Sequence, residues 1–436
     1  MEDFKLIVLD NCKELGNKVN EHLKKIHGGR NYILSISNSR FSNGEGKIKL
    51  EESVREKDLY ILSDIGNYNI SYLLHGMPHS MSPDEHFQDI KRVISAAGGH
   101  ERQVNLIMPL LYQSRQHKRN GRESLDCALA LQELERMGVH SIITFDAHDP
   151  NVSNAVPNLP FENFYPTHSI IREIIKNEAL KDVLVVSPDM GAMQRARYYA
   201  EILGCDVGVF YKRRNLSQVV HGKNPIIEHI YMGSNVLGRD IIIVDDMIAS
   251  GISILETAKN LKEKGAHHIY FVATFALFTE RYEAFSKAFE EKIFDKLYTT
   301  NLSYIPLEIK EQEWFYEVDL SMFIASIIDT LNQKKSLDEL YNGKLKSETL
   351  LTDMNEIPLC LCYYNEKYNC QYIIPDTKIV LEGSYIRDFN YYQINLKRFY
   401  FNGFKMIIEV KNYPAIFMRI GIGKNAFLGG GKFNEN

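Results

Sequence analysis

Two adjacent carboxylates, Asp245 and Asp246, stand just before Ser250, Gly251 and Ser253 in the stretch DIIIVDDMIASGISILETAKNLKEKG. The serines offer hydroxyl donors, and small residues let backbone amides approach an anion. A helix N-terminus behind them favours negative charge. The loop therefore suits a phosphate. The aspartates cannot bind that anion. They suit neighbouring hydroxyls, as acceptors, or a metal ion. A sugar phosphate carries both kinds of group on one small molecule.

The elements around this stretch position it. Ile241 to Val244 form a continuous apolar run, as in a strand buried on both faces of a parallel sheet. Ile254, Leu255, Ala258 and Leu261 recur at helical spacing, and Gly265 stands where that helix stops, past Lys262 and Lys264. Open α/β sheets bind ligands at the carboxyl ends of their strands. The same pattern also fits an ordinary strand-to-helix turn with solvated aspartates.

The alternation runs through most of the chain. KLIVLDN, DLYILSDIG, QVNLIMPLL and SIITFDAH read as strands. Cys12 to Lys25, SPDEHFQDIKRVISAAGG and ESLDCALALQELERMG read as helices, the second with Ser82 as N-cap and Pro83 behind it. After residue 165 the pattern repeats with SIIREIIKN, VLVVSPDMG, MQRARYYAEILG, DVGVFYKRR, DIIIVDDM and IYFVATFALF. Alternation of this kind implies parallel sheets covered by helices. It predicts two α/β halves, residues 1–165 and 166–345, joined near 150–168.

Composition sets the bounds. The chain has 436 residues, 44% hydrophobic and 25% charged, with a net charge of -5. That balance fits a soluble globular protein of two or three domains and gives no reason to expect a nucleic-acid partner. No apolar run approaches the roughly 18 residues that cross a membrane. MEDFKLIVLDNC enters a strand at once, unlike a signal peptide. Six cysteines without metal-ligand spacing suggest reduced thiols in a cytoplasm.

Six separated motifs carry a family resemblance. They are FSNGEGKIKLEESVR (Phe41 to Arg55), YQSRQHKRNGRES (Tyr112 to Ser124), FDAHD, VVSPDMGAMQRA, YKRR (Tyr211 to Arg214) and VDDMIASGIS. In this order they resemble the ribose-phosphate pyrophosphokinases, which make phosphoribosyl pyrophosphate (PRPP), over about residues 1–345. The resemblance implies two phosphoribosyltransferase-like, three-layer α/β/α halves. It implies Mg²⁺-dependent transfer of the β,γ-diphosphoryl group of ATP to the 1-hydroxyl of ribose 5-phosphate. Phe41, Asn43, Glu45, Arg115, Gln116 and His117 would bind ATP, with Phe41 stacking on the adenine of a neighbouring subunit. His148 and Asp189 would be linked to the metal, and Lys212, Arg214 and His148 would serve catalysis. Asp245 and Asp246 would hold the ribose hydroxyls, and Ala249, Ser250, Gly251 and Ser253 the 5-phosphate. The family's assembly is a homo-oligomer built on dimers, up to a hexamer.

The sequence also departs from the pattern. Ala249 stands where an acidic residue is common, and Ile252 where a second glycine is common. GRESLD differs from the usual sequence near the allosteric phosphate site, and Tyr68 to Met81 reads as an insertion. Two alternatives follow: an acceptor that is a larger ribose 5-phosphate ester such as ADP-ribose, or a non-catalytic regulatory homologue. From Leu350 onward the composition shifts to aromatics and alternating runs such as KMIIEV and AIFMRIGIG. That predicts a small β-rich appendage over 350–436, packed on the core, mediating assembly or binding a ligand. GIGKNAFLGGGK lacks P-loop spacing, and Cys360, Cys362 and Cys370 lack zinc spacing.

Overall fold

The computed structural model describes residues 3–214, 226–280 and 282–341, with short strands between 357 and 419. The first half begins with β1 (Phe4–Val8) and α1 (Lys13–Ile26). An antiparallel ribbon, β2 (Ile36–Arg40) and β3 (Gly46–Leu50), precedes β4 (Asp58–Leu62). A hairpin, β5 (Ser71–Leu74) and β6 (Met77–Ser80), leads to α2 (Pro83–Ala97) and β7 (Gln103–Ile107). Then come α3 (Asp126–Arg136), β8 (Val139–Phe145) and β9 (Phe161–Phe164). Strands β1, β4, β7, β8 and β9 pair in that order, all parallel. Every residue of β1 and β4 is buried, as parallel strands covered on both faces must be.

Local signals in the sequence set these ends. Ser82 and Glu85 form a reciprocal capping box at the start of α2, and Gly98 closes it in the left-handed conformation. The hairpin β5–β6 lies inside the segment Tyr68 to Met81 that reads as an insertion. Its tip leans on the β2–β3 turn, where the His75 amide donates to Ser42 O at 3.1 Å.

The second half runs α4 (Thr167–Asn177), β10 (Leu184–Ser187), α5 (Met193–Leu203), β11 (Asp206–Arg214) and β12 (Ile226–Met232). It continues with β13 (Ile241–Ile248), α6 (Ile252–Glu263), β14 (Ile269–Ala276) and α7 (Glu283–Glu290). It closes with β15 (Lys296–Thr300), α8 (Leu307–Lys310), β16 (Phe315–Val318) and α9 (Ser321–Asn332). Its sheet order is β12-β11-β10-β13-β14-β15-β16, with β12 the antiparallel edge.

Ten of the twelve residues of α9 are buried. The helix has no polar stripe for solvent because it packs on α1 of the first half, where His22 Nε2 lies 3.1 Å from Ser321 Oγ. Behind the loop after β13 sits an aromatic cluster of Phe271, Phe285, Phe294 and Trp314, with Phe285 and Trp314 stacked at 5.7 Å. Each such side chain contributes about 1.5–3 kcal/mol through burial.

In the C-terminal extension, Cys362–Asn365 pairs antiparallel with Cys370–Ile373. Leu396–Asn402, Lys405–Val410 and Ile416–Arg419 form a second antiparallel set. KMIIEV and the IFMR of AIFMRIGIG supply its last two strands, as their alternation predicts.

Candidate active site

Strand β13 does not end at the paired aspartates. It continues to Ile248, with Asp245 opposite Ala273 and Met247 opposite Phe275 on β14. On its other side the ladder to β10 ends at Ile243, so the acidic pair stands beyond that neighbour. There His148, three residues beyond β8, places Nδ1 2.6 Å from Asp246 Oδ2. The Asp245 carboxylate folds back to accept from the Asp246 amide at 2.9 Å.

The pair is electrostatically uneven. Burial and the Asp246 carboxylate push Asp245 well above the ordinary carboxylate range, and Asp189 adds to this. Burial pulls Asp246 the same way, but the His148 hydrogen bond and the Arg195 guanidinium outweigh it and hold Asp246 low. The same bond raises the His148 pKa against the effect of burial.

Two more side chains from the first half border this group. The His117 ring lies 5.5 Å from the His148 ring, with Nε2 3.2 Å from Asp149 Oδ2. Arg115 Nε lies 3.0 Å from Met247 Sδ, next to Asp246. Asp189 sits at the turn from β10 to α5, its Oδ1 held by the amides of Gly191 at 2.8 Å and Ala192 at 3.1 Å. The structure thus gathers Arg115, His117, His148, Asp245 and Asp246, with Asp189 near enough to act on Asp245 through charge.

The loop after β13 is short. Ala249 and Ser250 are half-buried, and Gly251 is the N-cap of α6 with φ +73°. Its smallness has a cause beyond an approaching anion. A Cβ at Gly251 would stand 2.2 Å from Phe285 Cε2. Ser253 lies in the first turn of α6, and Ile252 is 51% exposed, so its bulk points away from the core.

A match to the N-terminal domain of ribose phosphate pyrophosphokinase covers residues 4–138. A match to the phosphoribosyl transferase domain covers residues 167–302. Curated ribose-phosphate pyrophosphokinases match along nine-tenths or more of their length. Those of Vibrio cholerae and Haemophilus influenzae are each 27% identical, over 351 and 354 residues, covering 78% of this chain and 100% of the relative. The chain belongs to the ribose-phosphate pyrophosphokinase family. Membership makes it an enzyme, a ribose-phosphate diphosphokinase. The crystal structure of phosphoribosylpyrophosphate synthetase from Mycobacterium smegmatis shares the fold, with a TM-score of 0.63 at 20% identity over 76% of this chain and all of that one. The two parallel-sheet halves are thus phosphoribosyltransferase-like.

Other residues that the family resemblance singles out lie apart from the cluster. Phe41, Asn43 and Glu45 form the tip of the β2–β3 ribbon, where Asn43 Nδ2 donates to Glu45 Oε2 at 3.0 Å and Phe41 is 56% exposed. Among the described residues no hydrogen bond links that tip to His148 or Asp246. Gln116 is tied locally, donating to Ser124 O at 2.8 Å. The backbone of Lys212 and Arg214 continues β11, and their side chains lie outside the described residues.

Sequence reading passed over Arg195, Asp146 and Thr274. Arg195 Nε donates to both Asp146 oxygens, at 2.8 and 2.9 Å, and Thr274 Oγ1 donates to Asp146 Oδ2 at 2.6 Å. One signal was present: Arg195 falls between Ala192 and Tyr199 at helical spacing, on the side of α5 that is buried. Among the described residues, one group of three mutually close metal-ligating side chains occurs, Asp240, His267 and His268. It lies at the opposite end of β13, where the Lys262 ammonium already balances Asp240 and Asp295.

Proposed function

We propose that this enzyme transfers the β,γ-diphosphoryl group of ATP to the 1-hydroxyl of ribose 5-phosphate, releasing AMP and PRPP. The observation that carries the reading is the 2.6 Å contact of His148 with Asp246. It joins the segment that the resemblance links to the metal, beside His117 of the ATP segment, with the loop suited to a sugar phosphate, which supports donor and acceptor meeting there.

In this reading Asp245 reads the ribose hydroxyls beside Asp246. Backbone amides and hydroxyls of Ala249, Ser250, Gly251 and Ser253 hold the 5-phosphate. Arg115, Gln116 and His117 hold the ATP phosphates, and Phe41, Asn43 and Glu45 of a second copy take the adenine. Lys212 and Arg214 close on the transferring group. Transfer of this kind is mainly positioning and charge compensation.

The site fits a divalent cation. Asp245, Asp246 and Asp189 bring like charges together, and Asp245 is driven towards its protonated form by that crowding and burial. A cation relieves the repulsion. His148, with Nδ1 committed to Asp246, offers its other nitrogen, and Asp189 offers a carboxylate. Few protein ligands are typical of Mg²⁺, which keeps waters and takes substrate phosphates as ligands. When bound, Mg²⁺ supplies charge neutralisation on the phosphates.

Incubation with ATP, Mg²⁺ and a panel of ribose 5-phosphates tests the reading. AMP formed only with ribose 5-phosphate is the expected result. ADP as the sole nucleotide product refutes diphosphoryl transfer. Preference for a larger ester, such as ADP-ribose, moves the acceptor but keeps the chemistry. The resemblance also supports a homo-oligomer, which sedimentation measures directly.

A further inference from the structure

Asp146 is an aspartate in an unusual place. Its carboxylate is buried, and its backbone takes φ +43°, in the left-handed region that few side chains adopt. The strand β8 ends one residue earlier, and His148 follows two residues later. Whatever holds Asp146 therefore fixes the bend that aims His148. The amide of Asp146 is held within its own half, donating to Phe164 O at 2.8 Å. Its carboxylate is held wholly by the other half, through Arg195 on α5 and Thr274 on β14.

Arg195 does more than pair with one acid. Its side chain is 11% exposed, and its positive charge also acts on Asp245 and Asp246. Three carboxylates from two halves thus share one buried guanidinium. A buried charge without this partner is costly, so the three acids and Arg195 form a unit.

We propose that Arg195 is the positioning residue that locks His148 onto Asp246 and so registers the donor half against the acceptor half. This rests on the proposed reaction for its kinetic consequence. Arg195 anchors Asp146 across the boundary, Asp146 holds the left-handed bend, and the bend delivers the His148 ring to Asp246. Thr274 completes the anchor.

The full chain is used for the test. Arg195→Lys keeps the charge but loses the planar fork. Thr274→Val removes only the hydroxyl, and Thr274→Ser restores it. The short His148–Asp246 bond is expected to give the wild-type imidazole N–H a downfield proton resonance, to be assigned by its absence in His148→Gln. That resonance is expected to shift upfield or vanish in Arg195→Lys and Thr274→Val and to return in Thr274→Ser. The kcat/KM for ribose 5-phosphate, read as AMP release, is expected to fall about thirtyfold or more in Arg195→Lys, with the KM for ATP within about threefold. Should Arg195→Lys fail to fold, the two Thr274 variants decide. An unchanged resonance in the folded variants overturns the proposal. So does lost thermal stability with intact resonance and acceptor kinetics, since Arg195 would then be structural only. A wild-type protein that releases no AMP counts against the reaction alone, because the resonance reads the geometry without it.

Discussion

Asp64 and Ser303 repeat, with the halves exchanged, the contact that Asp246 makes with His148. Ser303 Oγ donates to Asp64 at 3.0 Å, and the Tyr304 amide donates to Asp64 Oδ2 at 2.8 Å. With β1 set against β10, β4 and β13 come next in their parallel sheets, and β8 and β15 lie two strands further along. In both cases an acid at β4 or β13 meets the residue three positions past β15 or β8 of the other half. The Asp246 contact carries a histidine and the Asp64 contact a serine, so only the first pairs two titratable side chains.

Asp64 makes stability pH-dependent. Burial pushes it up to about 7, while donation from Tyr304, Gly66 and Ser303 opposes the rise. An acid whose folded pKa lies above its unfolded value binds its proton more tightly in the native state. Its ionisation therefore costs stability progressively as pH rises from the unfolded pKa near 4 to about 7. Thermal unfolding of wild type and Asp64→Asn between pH 4 and 8 should show the wild type losing ground to the variant as pH rises. The loss is bounded at about 4 kcal/mol. Parallel curves would remove Asp64 from the pH response.

Gly251→Ala should destabilise the fold by about 2–4 kcal/mol, from a left-handed φ and overpacking against Phe285. Phe285→Leu alone should also destabilise, but the double variant should cost less than the sum of the two. A double-mutant cycle by denaturant unfolding measures that coupling. Strict additivity would show that the Phe285 ring does not set the size limit. Loss of phosphate affinity in Gly251 variants thus needs a stability control.

The two aspartates should separate with a 2-deoxyribose acceptor. Asp246 is buried and bound to His148, so Asp246→Ala should penalise both sugars alike. Asp245→Ala should lower kcat/KM about ten- to hundredfold on ribose 5-phosphate, and less on the deoxy sugar, where the hydroxyl is already missing. Equal penalties for Asp245→Ala on the two sugars would take the 2-hydroxyl away from it.

Lys212→Ala should lower kcat about a hundredfold or more, with a smaller change in acceptor KM, because a cation on the transferring group acts mostly in the transition state. Steady-state kinetics decide; a raised KM at unchanged kcat would assign Lys212 to ground-state binding instead.

Chelation of Mg²⁺ should abolish AMP release, and added Mg²⁺ should restore it, while the far-UV spectrum stays unchanged. Full activity in chelator would remove the cation from the reaction.

Much of this protein was fixed by local sequence. Apolar runs such as Ile241 to Val244 form strands because only burial on both faces satisfies them, and Ser82, Glu85 and Gly98 bound α2 through caps that act within a few residues. The paired aspartates and the small loop after them suit a sugar phosphate, a pattern that local sequence shares with an ordinary strand-to-helix turn. Tertiary structure decided the rest, since it depends on residues far apart in the chain. Strand β13 runs past its aspartates because β14 offers backbone partners up to Ala276. The short strands β15 and β16 and the helix α9, buried nearly all round, lack the amphipathic periodicity that marks an element by itself. Arg195 looks like one more cation on a helix until Asp146, 49 residues earlier, is folded against it. Charges placed together by folding, with water excluded between them, acquire roles that neither residue carries in the sequence.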